Sequence, residues 1–184
     1  LLSDGRFTLG LGSGENLNEH VVGEGWPAVL ARQDMLVEAI EIIRALHTGE
    51  LVTYDGEYFR VDSARVWDAP EGGVPIGVAV SGEHSIERFA PLGDHLITTE
   101  PEADLLRGWD EHHDGDSRKI GQIPISWDPD KDAAIARAHD QFRWFAGGWA
   151  VNSALPTPAG FAGASQFVRP EDVETALSAF ETAG

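Results

Sequence analysis

Short apolar runs alternate with longer amphipathic segments along most of the chain. The apolar runs predict strands at residues 6–12, 75–80, 94–99 and 120–126. Apolar positions at i, i+3, i+4 and i+7 spacing predict helices at residues 28–47, 83–92, 100–113 and 131–147. This alternation predicts an α/β fold with a parallel sheet covered by helices, either a doubly wound sheet or a (β/α)8 barrel.

The helix predicted at 28–47 has the most regular pattern. Its stripe comprises Arg32, Met35, Leu36, Ala39, Ile40, Ile43, Leu46 and His47. Pro27 suits the entry to a helix, and Gly49 follows the last residue of the stripe. We therefore expect this helix to pack along the core.

Residues 1–184 are expected to form a single domain with two additions. Asp55-Gly56 lies between β-rich runs and predicts a hairpin at 50–62. Residues 148–168 are rich in Gly, Ala and Pro and lack periodicity, so we expect a lid there, before a last helix that begins near Arg169. Both ends of the chain resemble interrupted helices, and four βα units make half of a barrel. We expect the chain to be part of a longer barrel protein.

Composition and charge exclude some classes of partner and indicate the compartment. Hydrophobic residues make up 42% of the chain, and the net charge is −18. Such a charge repels nucleic acid and anionic membrane surfaces, and no apolar run approaches the ~20 residues of a membrane span. The absence of cysteine excludes disulfides and thiolate sites. We expect a cytoplasmic protein that binds neither nucleic acid nor membranes.

The chemistry is concentrated in residues 6–20, RFTLGLGSGENLNEH. An apolar run, three glycines and then Glu15, Asn16, Asn18, Glu19 and His20 are typical of a buried parallel strand that opens into an active-site loop. A carboxylate such as Glu15 beside an apolar cavity has a raised pKa and can transfer protons, although a solvated loop glutamate fits the pattern too. The glycines favour either a tight turn or the close approach of a flat cofactor.

Other polar groups lie at later strand ends. Ser81 and Gly82 precede a predicted helix, where their backbone N–H groups suit an anion. His84 follows them and faces either the same mouth or solvent. His112 and His113 are predicted to lie in a charged surface loop, and we expect no metal site. The aromatic segment 141–149 predicts either a packed helix or the wall of a hydrophobic lid.

Three stretches carry a resemblance to a known family: GLGSGENLNEH, the segment from Met35 to Pro70, and PIGVAVSG. They resemble the luciferase-like monooxygenase superfamily, and within it the coenzyme F420-dependent oxidoreductases, a branch that includes the F420-dependent glucose-6-phosphate dehydrogenases. The resemblance implies a (β/α)8 TIM barrel of which this chain supplies about the fourth to seventh βα units. It also implies that F420 lies at the barrel mouth and exchanges a hydride with an alcohol or carbonyl substrate.

The resemblance also implies roles for particular residues. Glu15 matches the glutamate that handles the proton at the deazaflavin. Residues expected at the cofactor are Ser13, Gly14, Asn18, Ser81 and Gly82, the last two on its phosphate side. Thr99 and Trp144 are expected at the substrate.

One departure from the family pattern bears on the substrate. The sugar-phosphate enzymes of this branch place a lysine just after the strand that ends near Thr99, whereas this chain has Thr99-Glu100-Pro101-Glu102. A carboxylate repels a phosphate, so glucose 6-phosphate is a poor candidate. The alternatives are an FMN-dependent monooxygenase, or a catalytically incomplete chain or subunit. We also expect pairing into a homodimer, because half a barrel exposes sheet edges and apolar surface.

The acidic surface has two interpretations, simple solvation or adaptation to high salt. Salt adaptation predicts that the free energy of unfolding falls as salt is removed, because like charges then repel one another with less screening. Denaturation measured over a range of salt concentrations checks this. A free energy of unfolding that is unchanged at low salt contradicts the salt-adapted interpretation.

Overall fold

The computed structural model describes residues 2–23, 25–99, 102–122 and 126–142. Trp144, the expected lid at 148–168 and the predicted last helix lie outside the described residues. The described elements form two compact units. Of the described residues, the first unit contains 2–13, 27–98 and 104–120, and the second contains 14–23, 25–26, 99, 102–103, 121–122 and 126–142.

The first unit is built on a sheet of strand order β1-β4-β5-β6. These strands are β1 (Leu9–Leu11), β4 (Ile76–Ala79), β5 (His95–Thr98) and β6 (Lys119–Gly121). β1 and β5 both pair in parallel with β4, with Gly10 opposite Gly77 and Val78 opposite Leu96. The predicted parallel sheet is confirmed, but β1 and β6 are shorter than expected from residues 6–12 and 120–126. β6 ends at Gly121, and exposed Phe7 precedes β1 without joining it.

Three helices cover one face of this sheet. They are α2 (Val29–His47), α3 (Glu83–Phe89) and α4 (Ala103–His112), close to the predicted spans. Their buried side chains form one cluster with the strands: Leu36, Ile40, Ile76, Val78, Val80, Ile86, Phe89, Ala90, Leu96, Leu105 and Trp109. Ile76, Val78 and Val80 alternate along β4 and so point to the same face. Helices on one face match a barrel, since a doubly wound sheet carries helices on both.

The opposite face of the sheet is lined by small residues. Gly10, Gly12 and Ala79 are exposed there. The side chain of Ile97 crosses this face, and a Cβ at Gly77 would lie 2.8 Å from its Cδ1. A Cβ at Gly10 would lie 3.2 Å from the same atom, and one at Gly12 would lie 3.3 Å from the Ala79 Cβ. A Cβ at any of these glycines would crowd a side chain of another strand, so close packing within the sheet favours small residues on this face.

The hairpin forms as predicted but turns at a different place. Strands β2 (Val52–Asp55) and β3 (Arg60–Ala64) pair antiparallel, with Asp55 opposite Arg60. The turn is thus residues 56–59, and the Gly56 N–H donates to the Phe59 carbonyl at 2.9 Å. The expected Asp55-Gly56 turn is wrong because α2 holds a longer turn.

Glu38 of α2 is the group that holds this turn. Its carboxylate accepts the N–H groups of Glu57 at 2.7 Å and of Tyr58 and Phe59 at 3.0 Å each. A Cβ at Gly56 would lie 2.4 Å from the Glu38 carboxylate, so only glycine allows this approach. Desolvation would raise the pKa of Glu38, but the three N–H groups outweigh it and lower the pKa.

Two further carboxylates of α2 hold neighbouring elements. Asp34 pairs with Arg88 of α3. Glu41 accepts the hydroxyl of Tyr54 at 2.9 Å, and this hydrogen bond, with desolvation, raises the pKa of Tyr54 to about 12. Polar residues beside the apolar stripe of α2 therefore dock both α3 and the hairpin.

The C-terminal half of α2 is tied to the amino ends of the strands by Arg44. Its guanidinium pairs with Asp94 at 2.9 Å and donates to the Leu92 carbonyl at 2.9 Å. Asp94 also accepts the N–H of Ile76 at 2.7 Å. Desolvation opposes ionisation of Asp94, but Arg44 and the Ile76 N–H outweigh it and lower the pKa of Asp94. This network secures the edge of the sheet opposite the strand ends that carry Ser13 and Ser81.

The second unit contains α1 (Asn16–Glu19), a 3-10 turn (His20–Val22) and α5 (Lys131–Phe142). Residues 15–18 were expected to be a polar loop, but Asn16–Glu19 form one helical turn. α5 lies within its predicted span. The chain before it is held by Arg137, which pairs with Asp128 at 2.8 Å, and by Ser126, which donates to the Ala134 carbonyl at 2.9 Å.

Replacing Glu38 by Gln should destabilise the protein, because a glutamine amide cannot accept all three N–H groups of the turn. The pKa of Glu38 is lowered in the folded state, so its contribution is present above the unfolded pKa and is lost as pH falls through the folded pKa. We expect E38Q to melt below the wild type at neutral pH and the difference to shrink in acid. Thermal melts over a pH series measure this.

E57Q is the control for E38Q, since Glu57 is an exposed carboxylate in the same turn. It should leave the melting temperature close to that of the wild type. Equal melting temperatures for E38Q and the wild type at neutral pH would contradict the role of Glu38.

Candidate functional site

The predicted site residues of the first unit follow neighbouring parallel strands. Ser13 follows β1, and Ser81 and Gly82 follow β4. Since β1 and β4 pair in parallel and in register, both segments leave the sheet at its carboxyl edge. This is the edge at which parallel α/β enzymes bind their ligands.

The backbone N–H groups predicted to meet an anion are already hydrogen-bonded. The N–H groups of Ser81 and Gly82 both donate to the hydroxyl of Ser85 at 3.2 Å. That hydroxyl in turn donates to the Gly82 carbonyl at 2.7 Å. Ser85 thus occupies the position that an anion would take, and binding of an anion at these N–H groups requires its hydroxyl to turn away.

Glu15 lies at the start of α1 and is held there by Glu19. The N–H of Glu15 donates to the Glu19 carboxylate at 3.2 Å, and the N–H of Glu19 donates to the Glu15 carbonyl at 3.1 Å. The second bond is the first backbone i→i+4 hydrogen bond of this helical turn, and the first satisfies the N–H of the residue before it, as the later side chain of a capping box does. The backbone of Glu15 is therefore fixed by a second carboxylate four residues later.

Gly14 makes this fold-back sterically possible. It has a φ of +82°, and a Cβ on it would lie 2.0 Å from the Glu19 carboxylate oxygen. Any other residue at position 14 would strain the backbone and displace Glu19. Glycine here is explained by the position of Glu19.

The proton affinity of Glu15 is increased by its surroundings. Burial raises the pKa of the Glu15 carboxyl, and the charge of Glu19 raises it further. A half-buried carboxyl with a raised pKa holds its proton more readily than an exposed one, which suits a group that takes up and releases a proton. The predicted pKa shift of Glu15 agrees with this structure.

The sequence analysis did not include Arg32 among the site residues, and it placed Glu19 in the polar cluster without its contact to Glu15. Arg32 is 9% exposed, and its guanidinium donates to the carbonyls of Ser13 at 3.2 Å and Pro27 at 2.8 Å. The available signal was an arginine within the apolar stripe of the predicted helix 28–47. Glu19 carried no comparable signal, because its contact depends on the φ of Gly14.

For the remaining predicted residues, the structure gives at most the element in which they lie or their exposure. Asn18 lies in α1, and its side chain is outside the described set. Asn16, the other amide of the motif, is 5% exposed. Thr99 directly follows β5 and is exposed. Trp144 lies outside the described residues.

The histidines near the strand ends and in α4 have other surroundings than expected. His84 is exposed and lies 3.6 Å from Glu87. His112 and His113 do not form a surface loop. His112 is the last residue of α4, and His113 stacks on the buried Trp109 and contacts the Ala90 carbonyl at 2.8 Å. Within the described ranges no group of three or more His, Asp or Glu residues is arranged to hold a metal ion.

Among the described helices, none combines the length and the apolarity that a membrane crossing needs.

Comparison with known proteins adds a family match and curated relatives. The family model of the luciferase-like monooxygenases matches residues 1–181. The F420-dependent glucose-6-phosphate dehydrogenase of Nakamurella multipartita is 41% identical over 102 residues, covering 55% of this chain and 30% of the relative. The enzyme of the same name from Mycobacterium avium is 34% identical over 148 residues, covering 73% of this chain and 44% of the relative. The chain spans less than half the length of these relatives.

A solved structure extends the likeness to the whole chain. An F420-dependent secondary alcohol dehydrogenase, in complex with an F420–acetone adduct, aligns with a TM-score of 0.81 and 25% identity, covering 100% of this chain and 63% of that one. The structural neighbours are F420-dependent TIM-barrel enzymes. The α/β fold with a parallel sheet, matching part of such a barrel, is thereby confirmed.

Replacing Gly14 by Ala should destabilise the protein by about 1–2 kcal/mol from the left-handed backbone alone. It should cost more because the new Cβ displaces the Glu19 carboxylate. The free energy of unfolding measured with denaturant gives the total.

Gly23 is the matched control for Gly14. It has a similar φ of +77°, but a Cβ there would meet no described heavy atom within 4 Å. G23A should therefore show the backbone cost alone. Equal losses in G14A and G23A would contradict the proposed contact between position 14 and Glu19.

Proposed function

Since the chain belongs to the luciferase-like monooxygenase family, we propose that it forms part of an F420-dependent oxidoreductase. The curated relatives and the solved structure described above are all named as F420-dependent enzymes. The reaction is the transfer of a hydride between an alcohol or carbonyl substrate and the deazaflavin. Bound F420 would supply the carbon that accepts or returns the hydride.

The observation that carries the proposal is the placement of Glu15. It comes soon after β1 along the chain, its backbone N–H is bound by Glu19, and burial raises its pKa. Oxidation of an alcohol by hydride transfer releases a proton, and the reverse reaction consumes one. A carboxyl whose pKa is raised toward the working pH is an efficient carrier of that proton.

The other predicted residues fit a cofactor with a flat ring and an acidic tail. Ser13 and Gly14 adjoin Glu15 and bring backbone close to the ring. Asn18 supplies an amide from the same motif. Ser81 and Gly82 supply two N–H groups that both donate to one oxygen, which in this structure is the hydroxyl oxygen of Ser85. Their donor chemistry suits a phosphate oxygen.

The substrate that we propose is a neutral alcohol or carbonyl compound. Thr99 is followed by Glu100-Pro101-Glu102, with no lysine to bind a phosphate. The structural neighbour is named as a secondary alcohol dehydrogenase, whereas the curated relatives are named for glucose 6-phosphate.

An FMN-dependent monooxygenase is the second candidate, favoured by the description of the matching family model. The motif from Gly12 to Glu19 weighs toward F420, since it is the stretch that resembles the F420-dependent branch. Titration of the whole protein with F420 and with FMN, followed by fluorescence, separates the two candidates. Binding of FMN without F420 would reject the proposed function.

The substrate is tested by loss of the visible absorbance of F420. We expect the whole protein to bleach F420 when a secondary alcohol is added and not when glucose 6-phosphate is added. Bleaching by glucose 6-phosphate alone would reject the neutral substrate but keep the F420-dependent reaction. Binding of F420 without bleaching by any alcohol would indicate a catalytically incomplete chain.

Replacing Glu15 by Gln should lower kcat by roughly 10²–10⁴-fold, the usual contribution of a positioned acid or base. F420 affinity should change little, because glutamine keeps the size and polarity of the side chain. E57Q makes the same substitution in the exposed hairpin turn and should leave kcat unchanged. A kcat for E15Q close to that of the wild type would show that Glu15 does not carry the proton.

A further inference from the structure

The segment from Gly14 to Trp26 begins and ends at carbonyls bound by one side chain. Arg32, in the first turn of α2, donates through Nε to the Ser13 carbonyl at 3.2 Å. It donates through Nη1 to the Pro27 carbonyl at 2.8 Å. Ser13 immediately precedes the segment, and Pro27 immediately follows it. A single buried guanidinium therefore spans the base of the segment that carries Glu15.

Arg32 does not stabilise α2 at the place where it lies. A cation in the first turn of a helix is opposed by the helix dipole. Burial of a charged group is unfavourable unless hydrogen bonds compensate it. The planar guanidinium has several donors in a fixed fork, and it can therefore hold two separate carbonyls at once. Lysine carries all its donors on one nitrogen and cannot reproduce this geometry.

We propose that Arg32 is a positioning residue that holds the two ends of the Gly14–Trp26 segment together and thereby limits the movement of the Glu15 backbone within that segment. Fixing both ends of a loop removes much of its conformational freedom. The Ser13 carbonyl lies two residues before Glu15, so its anchoring limits the movement of the Glu15 backbone. The consequence for cofactor binding rests on the proposed function, whereas closure of the segment does not.

Hydrogen exchange of the full chain tests the closure without any cofactor. In R32A, the amides of residues 14–26 should exchange at least about tenfold faster, since loss of even one of the two hydrogen bonds from a charged group predicts a change of that size. Exchange in α4 should stay at the wild-type rate. Unchanged exchange at 14–26, or equal acceleration along the whole chain, would overturn the proposal.

Arg44 provides a matched control on the same helix. It also donates to a backbone carbonyl, that of Leu92, but at the other end of α2. R44A should accelerate exchange near residues 92–94 and leave residues 14–26 unaffected. Acceleration at 14–26 in R44A equal to that in R32A would overturn the proposal, because any damage to α2 would then open the segment.

R32K keeps the charge and most of the aliphatic stem, so it tests the fork if R32A fails to fold. Its residues 14–26 should still exchange faster than those of the wild type. Exchange at the wild-type rate in R32K would overturn the requirement for two separate donor nitrogens. Millimolar guanidinium added to R32A should restore part of the protection, and an absence of restoration would count against the bridge.

Titration with F420 links the closure to function. R32A should bind F420 about tenfold more weakly than the wild type, because the closed segment is populated less. Faster exchange with unchanged F420 affinity would overturn the positioning role. Failure of the wild type to bind F420 would reject the proposed function and leave the exchange result as the test of closure.

Discussion

The packing of α2 on the buried face of β4 is the interaction on which the described structure depends. Leu36 and Ile40 enter the same cluster as Ile76 and Val78, and burial of such side chains contributes about 1.5–3 kcal/mol each. When this apolar stripe is buried, the polar residues on either side of it face other elements. Glu38 then meets the hairpin turn, and Arg44 meets the amino edge of the sheet. One helix therefore orders the sheet, the hairpin and the base of the candidate site loop.

Basic side chains are scarce in this protein, which has 13 Lys and Arg against 31 Asp and Glu. Three of the arginines contact or extend from α2: Arg32, Arg44 and Arg88. Arg32 and Arg44 donate hydrogen bonds to the backbone carbonyls of Ser13 and Leu92, which lie outside the helices and strands. These contacts are made by positive charges. In an acidic protein they therefore connect elements without adding to the repulsion between surface carboxylates.

The candidate site combines a hydrogen bond that fixes the backbone with an unfavourable interaction between two negative charges. Glu19 fixes the backbone of Glu15 and at the same time repels its charge. The repulsion costs stability when both groups are ionised, and it makes Glu15 a better carrier of protons. Gly14 permits this arrangement, because every other side chain would collide with Glu19. Charge repulsion is thus concentrated in the segment to which the chemistry is assigned.

The amino-acid sequence by itself determined the alternation of elements, the span of α2 and the parallel sheet, because hydrophobic periodicity records which face of each element is buried. It also determined the family and singled out Glu15 within GSGENLNE. Only the tertiary structure decided what Glu38, Glu19 and Arg32 do, since their partners lie elsewhere in the chain or depend on the φ of Gly14. The hairpin turn moved to residues 56–59 because Glu38 holds three N–H groups there. Local patterns report burial, whereas hydrogen bonds between distant elements are settled when the elements pack.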